Sequence, residues 1–163
     1  MLLTMYTDGG CSGNRRGAGC PGSWAYIILD IANNILDKNC GIEHDTTNNR
    51  MELHSIINGL ENIKKMIEYN LYSIIIKSDS KYVINNYEEF LPEWKKSGWR
   101  KCGGGLVINS DLWKRLDLLI PDFKSVSFQW VKGHAGDEFN ALADQMVRSK
   151  LYPTEKGRSH ASN

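Results

Sequence analysis

The chain contains no apolar run approaching the ~20 residues that would span a bilayer. Its opening Met1-Leu2-Leu3 also lacks the basic start and long apolar stretch of a secretory signal, so an intracellular protein with no membrane segment is expected. Cysteine is scarce: Cys11, Cys20, Cys40 and Cys102 include no C-x-x-C pair and no Cys/His cadence of a zinc centre. In that compartment the expectation is free thiols. Net charge is nearly absent at +1, which excludes a surface that coats polyanions indiscriminately. The balance is uneven, however. Trp94 to Lys101 carries four positive and no negative charges, and without it the remaining chain stands at −3, so basicity is concentrated in one docking patch.

What is present suits one soluble domain. A chain of 163 residues with 41% hydrophobic and 24% charged positions can bury one core and is short for two domains. Leu2 to Asp8 reads as a strand, Gly9 to Asn14 as a tight loop, and Arg15 to Gly22 as a flexible connection rich in glycine. Trp24 to Asp30 and Ile35 to Ile42, separated by Asn33-Asn34, predict a hairpin, so three antiparallel strands come first.

From Asn49 the period lengthens to about 3.6 residues. Leu53, Ile56, Ile57, Leu60, Ile63 and Ile67 form one helical stripe, with Thr47 or Asn48 available as N-cap and Gly59 marking close packing. Ser73 to Ser78 holds Ile74-Ile75-Ile76, expected of a strand covered on both faces. Ser80 to Tyr87 and Asp111 to Leu119 read as helices, Ser125 to Val131 as a strand, and Phe139, Leu142 and Met146 as one side of a last helix. The domain is expected to occupy residues 1–150, with residues 151–163 a polar disordered tail.

Acids recur at comparable places in this plan. Asp8 and Asp79 end strands, Glu52 lies in a first helical turn on the buried side, and Asp144 follows Asn140 by four residues in the last helix. Each alone has a bland reading, as a cap or a residue favoured by the helix dipole. Four clustered carboxylates would raise one another's pKa and lose hydration unless cations offset the charge. Hard oxygen donors without Cys or a His pair point to Mg²⁺ or Mn²⁺.

The segments Tyr6-Thr7-Asp8-Gly9, Thr46 to Leu53, Ser78 to Val83, Trp94 to Trp99 and Trp130 to Gly136, with Asn140 and Asp144, resemble type 1 ribonuclease H. The resemblance runs in order from about residue 2 to 150. It implies an α/β ribonuclease H-like fold whose five-stranded mixed sheet has strands 1 to 3 antiparallel and strands 4 and 5 parallel to strand 1. It further implies an endonuclease that cleaves the RNA strand of an RNA–DNA hybrid, leaving 5′-phosphate and 3′-hydroxyl ends, and acting as a monomer. By that likeness Asp8 is shared between two Mg²⁺ ions, Asp144 helps hold one, and Glu52 and Asp79 hold the other; Mn²⁺ is a possible substitute. His134, in a glycine-flanked loop, would assist proton transfer or product departure.

The same resemblance distributes the substrate contacts. Gly9, Gly10, Cys11, Asn14, Glu52 and Asn48 would lie along the RNA strand, where 2′-hydroxyls are read. Thr47 and Asn109 would hold a DNA phosphate, Asn49 would read the neighbouring groove, and Tyr82, Phe90 and Trp94 would pack against DNA sugars. Lys95, Lys96, Arg100 and Lys101 would meet phosphates. Two departures stand out: Asp45, beside Thr47, would repel a phosphate, and the Asn14 to Ser23 loop, with Arg15-Arg16, is long. Three other readings fit the sequence less well. A noncatalytic hybrid-binding module would not need four acids. A phosphate-cradling domain would need a G-x-G-x-x-G or P-loop pattern that Gly9 to Gly13 does not supply. A DNA-junction nuclease of the same broad fold would leave Thr46 to Glu52 and the basic tryptophan segment unexplained.

Overall fold

The computed structural model describes residues 1–13, 20–133 and 136–153. Among them, five strands form one sheet: β1 (Leu2–Cys11), β2 (Cys20–Leu29), β3 (Ile35–Thr46), β4 (Ser73–Ser78) and β5 (Ser125–Trp130), in the order β3-β2-β1-β4-β5. β1 to β3 pair antiparallel, β4 lies parallel to β1, and β5 lies parallel to β4, as the mixed-sheet expectation requires. The β2–β3 turn is built on Asp30, whose Oδ1 accepts the main-chain N–H groups of Ala32 and Asn34, both at 2.8 Å.

β1 extends further than its glycines suggest. Gly9, Gly10 and Cys11 continue the strand, opposite Trp24, Ser23 and Gly22 of β2, so the expected loop at 9–11 is instead paired backbone. β2 likewise begins at Cys20, inside the segment expected to be a connection. The reason is a nonlocal one. A bare glycine weakens a strand in isolation, but here the cross-strand partner satisfies its backbone and a helix packs onto the space a side chain would fill.

Helix α1 (Asn48–Ile63) is capped by Thr47, whose Oγ1 accepts the N–H of Arg50 at 3.3 Å. Leu53, Ile56, Ile57, Leu60 and Ile63 are all fully buried against the sheet. At roughly 1.5–3 kcal/mol each, this stripe is the main anchor of the helix. Ile67 does not join it: the helix ends at Ile63, Glu68 turns the chain with φ +56°, and Ile67 is 86% exposed. Gly59 does mark a close approach, because a Cβ there would overlap the Met5 sulfur.

Lys81–Asn85 (α2), a π-turn at Asn86–Phe90 and Leu91–Lys96 (α3) form one longer helical stretch than the expected Ser80 to Tyr87. In the π-turn the N–H of Leu91 reaches back five residues to the Asn86 carbonyl. α4 (Ser110–Leu119) joins α1 on one face of the sheet. α5 (Glu138–Leu151) covers the other face over β1, β2 and β3, where Tyr6, Ile27, Leu29 and Ala143 form a second core. β4 lies largely beyond α5, so Ile74 and Ile76 are buried while Ile75 and Lys77 on the opposite face are only half-buried. β4 is therefore fully covered on one face only, where cover on both faces was expected.

α5 runs to Leu151, one residue past the expected boundary, and residues 154–163 of the expected tail lie outside the described residues. All four cysteines are free thiols. No helix among the described residues is long and apolar enough to cross a membrane.

Candidate active site

Three elements bring acids to one end of the sheet. Asp8 is near the end of β1, Asp79 directly follows β4, and Glu52 stands in the first turn of α1. Each offers a carboxylate oxygen within 4.8 Å of the other two. The close approach of α1 to β1 has a visible cause at Gly9, where a Cβ would collide with the backbone of Met51 and Glu52. Glycine at this position therefore lets the helix deliver Glu52 to Asp8. That gives its bareness a packing role distinct from admitting an RNA backbone.

The cluster is electrostatically expensive when empty. Asp8 is 9% exposed, and burial, then Asp79 and Asp144, push its pKa up to about 7. Glu52 rises well above the usual carboxylate range, again through burial first, then the charges of Asp8 and Asp79. Its Oε2 is buried with no hydrogen-bond partner among the described residues. An orphaned buried oxygen beside two further carboxylates fits a hard divalent cation, which accepts oxygen donors and offsets their mutual repulsion.

Asp144 lies alongside this trio rather than within it. It borders the same depression as Asp8, Gly9 and Gly10, and its Oδ1 and Oδ2 accept from Arg148 Nε at 3.1 and 3.0 Å. Asn140, one helical turn earlier and 4% exposed, donates from Nδ2 to Asp79 Oδ2 at 3.3 Å. Trp130 Nε1 donates to the Asp79 carbonyl at 3.2 Å, and Gly133 leaves room for the Asp79 carboxylate, whose Oδ2 would be 2.8 Å from a Cβ there. The acid is thus held by its main chain and its side chain. His134 and Asn14 lie outside the described residues.

Asn48 Oδ1 accepts the Cys11 main-chain N–H at 2.7 Å, so two residues expected on one substrate strand are bonded to each other. The residues expected on the other strand form a connected group. Asn109, with φ +59°, donates from Nδ2 to the Tyr82 hydroxyl at 3.0 Å and accepts from Arg50 Nη1 at 3.4 Å. Trp113 Nε1 also donates to Tyr82, at 3.1 Å. Arg50 meanwhile pairs with Asp111 at 2.7 Å, and Thr47 and Asn49 are exposed at the same helix end. Phe90 and Trp94 stack with ring centroids 6.0 Å apart, and Trp94 meets Trp113 edge-on at 5.6 Å. Trp94 is therefore a packed platform whose neighbour Phe90 stays exposed.

The basic patch is less free than its sequence suggests. Lys95 pairs with Asp117 and Lys96 with Glu93, each at 2.9 Å, because α4 and the first turn of α3 bring acids back to the segment. Arg100 and Lys101 have no carboxylate partner among the described residues. Sequence reading missed a further polar group, Tyr6, Lys77 and Asp137, behind the acids. Its signal was available: a lysine ends the apolar run Ile74-Ile75-Ile76 inside a strand.

The family described as RNase H matches residues 2–152. A ribonuclease H from Ruegeria pomeroyi is 38% identical over 162 residues, covering 98% of each chain. Among solved structures, LC9-RNase H1, a type 1 RNase H with the type 2 active-site motif, superposes with TM-score 0.80 at 26% identity, covering 92% of this chain and 72% of that one. LC11-RNase H1 in complex with RNA/DNA hybrid shares the fold, with TM-score 0.64 at 20% identity over 90% of this chain and 94% of that one.

Proposed function

The chain belongs to the ribonuclease H family, and from that premise we propose that it hydrolyses the RNA strand of RNA–DNA hybrids internally, leaving 5′-phosphate and 3′-hydroxyl ends. The observation that carries this reading is the convergence of Asp8, Glu52 and Asp79 within 4.8 Å, with Asp144 beside them. Asp8 would be shared by two Mg²⁺ ions, Asp144 would complete one ligand set, and Glu52 and Asp79 would complete the other; Mn²⁺ satisfies the same oxygen donors. When bound, such ions lower the pKa of water and neutralise charge developing on the leaving oxygen.

The chain's own residues prepare that chemistry. Asp8 and Glu52 must give up protons that burial favours, so productive loading improves as pH rises toward and above 7. Asp144 must exchange Arg148 for the cation, an exposed contact that costs little to break. Asn140 keeps Asp79 oriented, and Asn48 holds the end of β1 through Cys11. On the DNA side, Trp94 and Phe90 supply an aromatic platform for sugars, Thr47 and Asn109 hold a phosphate, and Asn49 reads the neighbouring groove. Arg100 and Lys101 are the leading phosphate contacts, with Lys95 and Lys96 contributing after their carboxylates are displaced. His134 is assigned to proton transfer or product departure. One copy of the chain supplies all four acids, in keeping with a monomeric enzyme.

The test is cleavage of labelled RNA–DNA hybrid, DNA duplex, RNA duplex and single strands, in Mg²⁺, Mn²⁺ or EDTA, by wild type and Asp8→Asn. Internal cuts in the RNA of the hybrid alone, lost in EDTA and in the variant, are expected. Hybrid cleavage that persists in either case would overturn the assignment.

A further inference from the structure

Behind the acids lies a second layer, carried by β1, β4 and the start of α5. Tyr6 precedes Asp8 by two residues on β1, and Lys77 precedes Asp79 by two on β4; the parallel register sets Tyr6 opposite Lys77. A two-residue step in a strand keeps the side chain on one face, roughly 7 Å back. Asp137, the N-cap of α5, precedes Asn140 by three residues and Asp144 by seven, a spacing that sets it at the start of the helical face those two share.

These second-layer residues are bonded to one another. The Tyr6 hydroxyl donates to Asp137 Oδ2 at 2.8 Å and accepts from Lys77 Nζ at 3.0 Å. Asp137 Oδ1 accepts the N–H groups of Phe139 and Asn140 at 3.1 and 3.3 Å, capping α5. One carboxylate therefore closes the helix with one oxygen and ties it to the sheet with the other. Tyr6 is 4% exposed, and burial raises its pKa, which keeps the phenol protonated as a donor.

Apart from the Asn140–Asp79 hydrogen bond, the described α5 side chains that pack on the sheet in this region are apolar: Phe139, Leu142, Ala143 and Met146 against Tyr6, Ile27 and Leu29. Such packing is non-directional, whereas a hydrogen bond has a narrow range of distance and angle. The distinction matters at a ligand site. With side chains about 5–6 Å from the helix axis, rotating α5 by about 10° would move a carboxylate by about 1 Å, several times the tolerance of a metal–ligand distance.

We propose that Tyr6, Lys77 and Asp137 are positioning residues, a tether that sets the rotation and depth of the first turn of α5 and thereby places Asn140 and Asp144 against Asp79 and Asp8. This rests on the divalent-cation reading of the acids. The tether touches neither nucleic acid nor cation, so its effect is read as metal affinity rather than hybrid affinity.

Mn²⁺ binding, followed by electron paramagnetic resonance without nucleic acid, tests it in wild type, Tyr6→Phe, Asp137→Ser and the double variant. Serine retains a helix-capping hydroxyl but is too short to reach Tyr6. Each single variant is expected to lose about three- to tenfold in Mn²⁺ affinity, as for removal of one supporting hydrogen bond. The double variant should lose no more than the weaker single. In hybrid cleavage, the Mg²⁺ concentration for half-maximal rate should rise by a similar factor while KM for the hybrid stays unchanged. Lys77→Met, which spares both other members, carries the same direction of change should Tyr6→Phe not fold. Mn²⁺ affinity within twofold of wild type in both single variants, whatever their melting temperatures, would overturn the tether, as would fully additive losses. A wild type whose Mn²⁺ affinity depends on this tether but which leaves hybrids intact would instead overturn the proposed function alone.

Discussion

Replacing Asp8 by Asn should stabilise the metal-free protein at alkaline pH while abolishing cleavage. Folding leaves this carboxyl 9% exposed beside Asp79 and Asp144 and raises its pKa from 3.8 to about 7, with burial the largest cause. Between those values the folded state retains a proton that the unfolded chain has released, so stability falls as pH rises. The direction is opposite to that of a salt-bridged acid: stability is greatest below about 4 and is progressively lost up to about 7. At about 1.36 kcal/mol for each pH unit, the loss from this group is about 4 kcal/mol by pH 8. Asn carries no charge but still buries a polar group, so the expected gain is about 2–4 kcal/mol at pH 8, narrowing by more than half at pH 5. Urea unfolding in EDTA at pH 5, 6.5 and 8 measures it, and Mg²⁺ should close the gap by stabilising wild type alone. A variant no more stable than wild type at pH 8 in EDTA would refute the claim that the empty acid cluster opposes folding.

Gly9→Ala should destabilise the protein by about 1–3 kcal/mol in urea unfolding and weaken Mn²⁺ binding, because its Cβ meets helix backbone and displaces Glu52. Gly10→Ala should cost less, since its Cβ would meet only side-chain atoms, Val147 Cγ1 at 3.3 Å and Leu151 Cδ1 at 3.9 Å; equal costs would contradict the packing role given to Gly9. In hybrid binding measured against salt, Arg100→Ala and Lys101→Ala should each reduce the slope of log K on log salt by about 1. Lys95→Ala and Lys96→Ala should change it by about half that or less, because each already has a carboxylate partner. Four equal changes would show that those ion pairs do not persist in solution.

The parts of the fold that were legible in the sequence are those governed by local periodicity. The stripe from Leu53 to Ile63, the turn at Asn33-Asn34 and the orientation of Glu52 all follow from spacing within one element, and all appear in the structure. The acid cluster was legible because each acid occupies a comparable end position and one topology brings those ends together. What escaped were features created by distant partners. Gly9 to Cys11 read as a loop until β2 pairs with them and α1 packs on Gly9. Lys95 and Lys96 read as free cations until Asp117 and Glu93 come within reach. The bond between Tyr6 and Asp137 joins residues 131 positions apart, a relation no window along the chain contains.

The π-turn at Asn86–Phe90 acts as a phase shifter between two helical segments. Each residue added to or removed from a helix rotates everything beyond it by about 100°. Losing one residue there would preserve the helix yet swing Trp94 off the edge of Trp113 and Lys95 away from Asp117. Length in this stretch is therefore quantised: changes of a whole turn keep the aromatic platform in phase, whereas single-residue changes do not. The place to absorb such changes is the glycine run Gly103 to Gly105, where positive φ angles at all three positions make a bend that carries no phase.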